Sequence, residues 1–325
     1  MDMKTMRHAM FVLLAFACGA GASFAQTYPA RPLRIIVPVV PGGGLDFIAR
    51  LLAPKLSESL GQTIVVDNRP GASGVIAMEL TARATPDGHN LMVYSATHVI
   101  FAAINRTRYD FFRDFAPITQ LAASPYVFVV HPPLPARSVA ELTAYAKANA
   151  GKLSYASSGV ASLQQLAMEY YASIAGIQFI HVPFKGIGAA IPDLASGRVQ
   201  MTMSSMTSML SHIRAGTLRP LAVTSAQRAA TLPNVPTMIE AGVAGFEVTQ
   251  WTALHAPGGT PRRIVERLSA DVVRVLRDPE VVKRMAADGT DPVGSTPAAF
   301  AAFLKAEHAK WSSIARQAGV SGTVR

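Results

Sequence analysis

The sequence predicts an α/β protein of two hinge-linked lobes, each built on a mostly parallel sheet. Three observations carry this. Strand, helix and strand patterns follow one another closely from residue 32 onward, as βαβ crossovers require. Setting aside an N-terminal leader leaves about 300 of the 325 residues, more than one core usually organises, so two lobes of roughly 100 to 150 residues are expected. Two extended stretches, near 115–132 and 246–255, separate one α/β series from a second and return the chain to the first.

The first unit opens with Pro32-Leu-Arg-Ile-Ile-Val-Pro38, a β-branched run stopped by proline. A loop, Val39-Val-Pro-Gly-Gly-Gly44, leads to apolar residues at helical spacing (Phe47, Ile48, Leu51, Leu52, Leu56, Leu60), and Gly61 ends that helix. Thr63-Ile-Val-Val-Asp67 is the next strand. A helix at 75–84, a Pro86-Asp-Gly88 turn, the strand Asn90-Leu-Met-Val-Tyr94 and a loop Ser95-Ala-Thr-His98 complete the series.

The stretch 115–132 reads as two extended segments crossing between lobes. Beyond it the pattern gives helices at 139–148, 163–174, 189–195 and 208–215. Strands at 154–156, 179–182, 199–203 and 219–224 alternate with them. After the return near 246–255, three helices are expected at 261–277, 279–288 and 297–317, each starting at a proline. The expected division is a leader over 1–25, one lobe over 26–123 and 252–325, and the other over 124–251.

Lys4 and Arg7, an apolar run over 9–17 and the small-residue stretch ending Ser23-Phe-Ala25 have the order of a cleaved secretory signal. The run is too short for a membrane span, so the mature chain is expected outside the bilayer, in the periplasm. Cys18, the single cysteine, lies in the leader, which leaves no thiol for a disulfide or a metal. The alternative is a lipoprotein signal with Cys18 lipidated; Ala15-Phe-Ala17 lacks the leucine that such signals carry three places before the cysteine.

Half of the residues are hydrophobic and 15% are charged, a composition that excludes disorder. The net charge is +10, and loss of Lys4, Arg7 and Asp2 with the leader lowers it by one unit. The basic residues are scattered, with no basic helix or aromatic interleaving, so nucleic acid is not an expected partner.

Pro41-Gly-Gly-Gly-Leu-Asp46 lies between a strand and a helix, where glycines let a ligand approach the backbone and the helix start presents free N–H groups to an anion. It fits neither a dinucleotide fingerprint nor a P-loop. The same residues also fit a tight turn with Asp46 placed to favour the helix dipole. Ser157-Ser-Gly-Val-Ala-Ser162 holds the equivalent place in the second series, where plain N-capping is the alternative. Ser95, Thr97 and His98, and Ser204 with Ser205, also follow strands, where ligands of open α/β sheets gather. No nucleophile elbow, zinc-spaced histidine set or close His/Asp pair is found, so neither catalysis nor a metal or other cofactor is expected.

Taken together the segments resemble the substrate-binding components of tripartite tricarboxylate transporters, the Bug family. The resemblance rests on Tyr28-Pro-Ala-Arg-Pro32, Ile36-Val-Pro38 with Pro41-Gly-Gly43 and Asp46, Val66-Asp-Asn-Arg-Pro-Gly71, Pro86-Asp-Gly88 and Tyr155-Ala-Ser157 with Gly159. It continues through His181-Val-Pro-Phe-Lys-Gly186, Leu221-Ala-Val-Thr-Ser225, Leu232-Pro-Asn-Val-Pro-Thr237 and Ala256-Pro-Gly-Gly-Thr-Pro261. It implies a two-lobe periplasmic-binding-protein fold of type II kind and a small carboxylate ligand held largely by backbone groups and water. Its partners would be membrane transporter subunits or a periplasmic sensor domain. By resemblance the pocket comprises Gly42, Gly43 and Asp46, the stretch from Ser95 through Thr97 to His98, Ser157, Ser158 and Gly159, and Phe184, Lys185 and Gly186. The chain departs from the family at Val39-Val40, Ser204-Ser205 and Phe184, which together predict a ligand that is less polar away from its carboxylate.

Overall fold

The computed structural model describes residues 28–317 and 319–320; the expected cleavage after Ala25 and Cys18 lie outside the described residues. The strands are β1 (Leu33–Val37), β2 (Ile64–Asn68), β3 (Asn90–Ser95), β4 (Phe115–Val130), β5 (Ser154–Ser157), β6 (Ile180–Pro183), β7 (Met201–Ser205), β8 (Arg219–Val223), β9 (Thr249–Pro257) and β10 (Asp291–Pro292). The helices are α1 (Gly44–Leu60), α2 (Val75–Ala82), α3 (Ala96–Ile104), α4 (Val139–Ala148), α5 (Leu163–Ala175), α6 (Ile191–Ser196), α7 (Met206–Arg214), α8 (Arg262–Leu276), α9 (Pro279–Ala287) and α10 (Pro297–Gln317).

One curled path of strands runs β2-β1-β3-β9-β4-β7-β5-β6, with β8 and β10 also paired to β4. The strands joined by helices are parallel: β1 with β2 and β3, and β5 with β6 and β7. β9 runs against β3 in the first half and β4 runs against β7 in the second, so each half of the sheet is mixed.

β4 joins the halves. Phe115 to Pro125 pairs with β9, whereas Tyr126 to Val130 pairs with β7 and β8. Thr224 ties this crossing to the chain's return: its hydroxyl donates to Val248 O at 2.5 Å and accepts from Tyr126 N at 2.8 Å. Two segments expected around 115–132 are therefore one continuous strand. Pro117 and Pro125 lie within it, and the pairing with β9 shifts register between Pro117 and Thr119 and again between Gln120 and Ala122.

The amphipathic stripe of α1 (Ile48, Leu52, Leu56) packs with β1 and with Leu268 and Val272 of α8 in one core. A smaller core lies under β4, with Val127, Val129, Met206 and Met209. A third spans both halves, because α10 packs on α3 and β4 and also on α5. Trp311 and Ile314 of α10 share that core with Leu166 and Tyr171 of α5.

The segment 95–98 is not the loop expected from the sequence. Ser95 ends β3 and caps α3, whose run Ala-Thr-His-Val-Ile-Phe-Ala-Ala-Ile has almost no polar face. A helix buried this completely lacks the periodicity by which helices are recognised. Among the described residues no helix is long and apolar enough to cross a membrane.

Candidate functional site

A cavity of about 670 Å³ opens between the two halves. Its floor is the crossing strands, through Ser124 and Tyr126 of β4 and Gln250 and Thr252 of β9. Four helices begin at its wall: Gly44 and Leu45 start α1, Ser95 and Thr97 start α3, Ser162 and Gln164 start α5, and Ser205, Thr207 and Ser208 start α7. Each helix start carries unpaired N–H groups and the positive end of a dipole, so their convergence favours an anion. Among the described residues no lysine or arginine lines the cavity.

The β1–α1 loop is shaped from below. Gly42 adopts φ +87, a conformation natural to glycine, and Gly43 caps α1 with no side-chain hydrogen bond to the first turn. Asp46 is buried and turned away from the cavity. It accepts from Gly42 N at 2.8 Å, Asn68 Nδ2 at 2.8 Å and Arg50 Nε at 2.9 Å. Burial opposes its ionisation, but these donors outweigh it and hold the carboxyl below the usual carboxylate range. Gly44 and Leu45, the next residues, are the ones that front the cavity. The expected contacts of Gly42, Gly43 and Asp46 with the cavity are therefore displaced forward, and those three residues form the support of the loop.

In the β5–α5 loop, Ser158, Gly159, Val160 and Ser162 line the cavity, while Ser157 is fully buried beneath them. The Ser157 hydroxyl lies 2.6 Å from His181 Nε2 and 2.9 Å from Gly159 O, and it also accepts from Gly159 N at 3.1 Å. Ser162 caps α5 by accepting from Gln165 N. Gly186 reaches the cavity; Phe184 packs into the core under β4, and Lys185 is exposed outside it. Ser205 lines the cavity, but Ser204 points the other way, as alternation along β7 requires, and its hydroxyl is buried without a hydrogen-bond partner among the described residues.

Ser95, Thr97 and His98 all line the cavity. His98 Nδ1 accepts from Ser95 N at 3.2 Å, which leaves Nε2 as the protonated nitrogen of the neutral ring. Gly74 makes room for that ring: a Cβ on it would overlap His98 Nε2. Burial pushes His98 down from 6.5 to about 4. The unfolded chain takes up this proton below pH 6.5 and the folded chain does not until pH 4. Stability is therefore expected to fall as the pH drops through that window, by about 3 kcal/mol from His98 alone. Urea unfolding at intervals from pH 7 to 4 measures it; His98→Asn should flatten the slope, and an unchanged slope would contradict the assignment. His255, buried beside Tyr94 at 2.6 Å, is shifted the same way and adds to the parent slope.

Sequence reasoning did not find Ser124, Tyr126, Gln250, Thr252 or Asp288. The first four lie on the expected crossings, so their place at the cleft floor was the available signal. Asp288 carried none, since it reads as the tail of a helix. Among the described residues no group of three or more His, Cys, Asp or Glu side chains could hold a metal ion.

Residues 48–320 match the model of the tripartite tricarboxylate transporter family receptor. Two relatives cover nearly the whole chain. The UPF0065 protein in the tcbD-tcbE intergenic region of Pseudomonas sp. (strain P51) is 39% identical over 95% of this chain and 93% of its own. Protein BugT of Bordetella pertussis is 35% identical over 98% and 99%. Among solved structures, R. palustris Rpa4515 with adipate superposes with a TM-score of 0.81 at 35% identity, over 90% of this chain and 99% of that one. MatC (Rpa3494) from Rhodopseudomonas palustris with bound malate gives 0.78 at 29% identity, over 88% and 99%.

Proposed function

The chain belongs to the family of tripartite tricarboxylate transporter receptors, and from that premise we propose that it captures a small carboxylate by lobe closure and delivers it to transporter subunits in the membrane. The convergence of four helix starts on a cavity without lysine or arginine carries this reading. A carboxylate placed there accepts from backbone N–H groups that neither titrate nor swing out, with the hydroxyls of Ser95, Thr97, Ser158 and Ser205 and the ring of His98 beside it. Gly159 and Gly186 keep the backbone approachable on the second half.

The lobes are 26–123 with 252–325, and 124–251. A ligand touching both halves binds the closed form more strongly than the open one, and that difference drives closure about the β4 and β9 crossings. The leader 1–25 directs the chain to the periplasm and is removed there. The carboxylates named with Rpa4515 and MatC, adipate and malate, support the ligand class. The receptor family supports binding without turnover.

The test is a thermal-shift and calorimetric screen of the chain from residue 26 against mono- and dicarboxylates, hydroxy acids, amino acids, sugars and inorganic phosphate. A ligand at a hundred times its Kd stabilises by about 2.7 kcal/mol, which should raise the thermal midpoint by roughly 5 °C. Response to sugars or phosphate with silence across the carboxylates would sink the reading.

A further inference from the structure

We infer that Asp288 sets ligand choice: the cavity takes a monocarboxylate bearing a hydrogen-bond donor, a hydroxyl or an ammonium, at its far end, and disfavours a second carboxylate there. The inference rests on the carboxylate reading above and adds the chemistry of the ligand's other end. There it replaces the expectation of a less polar ligand drawn from Val39-Val40, Ser204-Ser205 and Phe184, because Asp288 brings a carboxylate to the cavity from outside those segments.

Asp288 follows α9 and lines the cavity. Its backbone is held from both halves. Thr207 Oγ1, in the first turn of α7, donates to Asp288 O at 2.6 Å, and Ser124 Oγ of β4 donates to Gly289 O at 2.8 Å. Asp291 and Pro292 then pair with Ala123 and Ala122. Gly289 lies so close to α7 that a Cβ would stand 2.9 Å from Met206 Cγ, and its φ of +70 favours glycine. The carboxylate therefore projects from an anchored backbone.

That carboxylate is poorly satisfied. Its only hydrogen-bond neighbour among the described residues is the Thr207 hydroxyl, 3.3 Å from Oδ2. The single proton of that hydroxyl is already directed to the Asp288 carbonyl at the shorter distance. No ion pair to Asp288 is formed among the described residues, although thirteen of the fourteen pairs that do form involve a lysine or arginine. Partial burial raises its pKa, the sign expected of a carboxylate short of donors.

Among the described residues Asp288 is also the only carboxylate that lines the cavity, and no lysine or arginine lines it. It repels the ligand's carboxylate toward the free N–H groups of α1 and α5, so the other end of the ligand is left to meet it. A hydroxyl or ammonium supplies the missing donor. A second carboxylate meets a like charge with no lysine or arginine among the described lining residues to offset it, a mismatch that discriminates through repulsion.

The experiment is isothermal titration calorimetry on the chain from residue 26 and on Asp288→Asn, with straight-chain probes of four to six carbons. At each length the set is the plain acid, the ω-hydroxy acid, the ω-amino acid and the dicarboxylate. In the parent chain, the ω-hydroxy or ω-amino acid of the best length should bind at least ~10-fold more tightly than the plain acid, with the dicarboxylate weakest. Asp288→Asn should weaken the ω-amino acid at least ~10-fold and strengthen the dicarboxylate by a similar factor, each relative to the plain acid. A thermal midpoint within a few degrees of the parent establishes that the variant folds, and asparagine suits the end of a helix. A parent that prefers the dicarboxylate, or a ranking that Asp288→Asn leaves unchanged, overturns the inference and leaves the carboxylate reading standing. Binding of none of the acids overturns both.

Discussion

Asp46→Ala is expected to weaken carboxylate binding at least ~10-fold and to cost about 3 kcal/mol of stability, although Asp46 never touches the cavity. Its carboxylate gathers the Gly42 N–H, the Asn68 amide and the Arg50 guanidinium. Without it, three donors lose their acceptor and the loop before α1 is free to sample other arrangements. The N–H groups of Gly44 and Leu45 would then have to be ordered by the ligand at the ligand's expense. Asp46→Asn keeps one acceptor oxygen but loses the charge facing Arg50, so it should fall between alanine and the parent. Calorimetry for affinity and urea unfolding for stability separate the two effects. A destabilised Asp46→Ala chain that binds with unchanged Kd would show that the loop is ordered by something else.

Glu307→Ala is expected to lower stability by about 3 kcal/mol, or roughly 5 to 6 °C in the thermal midpoint. One oxygen of this carboxylate accepts from the indoles of both tryptophans of the protein, Trp251 Nε1 at 2.8 Å and Trp311 Nε1 at 2.9 Å. Both rings are buried, one in β9 and one in α10, so removing the acceptor strands two N–H groups away from water. Glu307→Gln retains a carbonyl oxygen and should lose about 1 kcal/mol. Intrinsic fluorescence reports the change directly, because both emitters sit on the altered group. Equal stability of the alanine and glutamine variants would rule out the acceptor role. The contact also bears on function, since β9 is the returning crossing and α10 packs on both halves.

The βαβ units were readable because their apolar residues repeat with the period of the element they form. Ile48, Leu52 and Leu56 mark one face of α1, and Gly61, with φ +68, stops it. Where burial is complete the period vanishes, which hid α3. Where a strand is long and its ladder irregular, it reads as separate extended segments, which split β4. Ser95, Thr97, His98, Ser158, Gly159 and Ser205 line the cavity from strand ends, a local property that the sequence displays, and Gly186 lines it where the family resemblance pointed. The register within the loops was not legible. Gly44 faces the cavity where Gly42 and Gly43 were expected, and Ser205 faces it where Ser204 does not.

The sequence by itself determined the α/β class, the two crossings and the strand ends at which the cavity forms, since each follows from periodicity and turn chemistry within a few tens of residues. Only the tertiary structure decided that Asp46 supports the loop from behind, that Thr207 and Asp288 meet across 81 residues, and that two distant indoles share one carboxylate. Those arrangements depend on the curl of the sheet and on which donor lies nearest once the halves are packed. Hydrogen bonds act over about 3 Å, and no local pattern of residue types encodes a distance that short between segments so far apart in the chain.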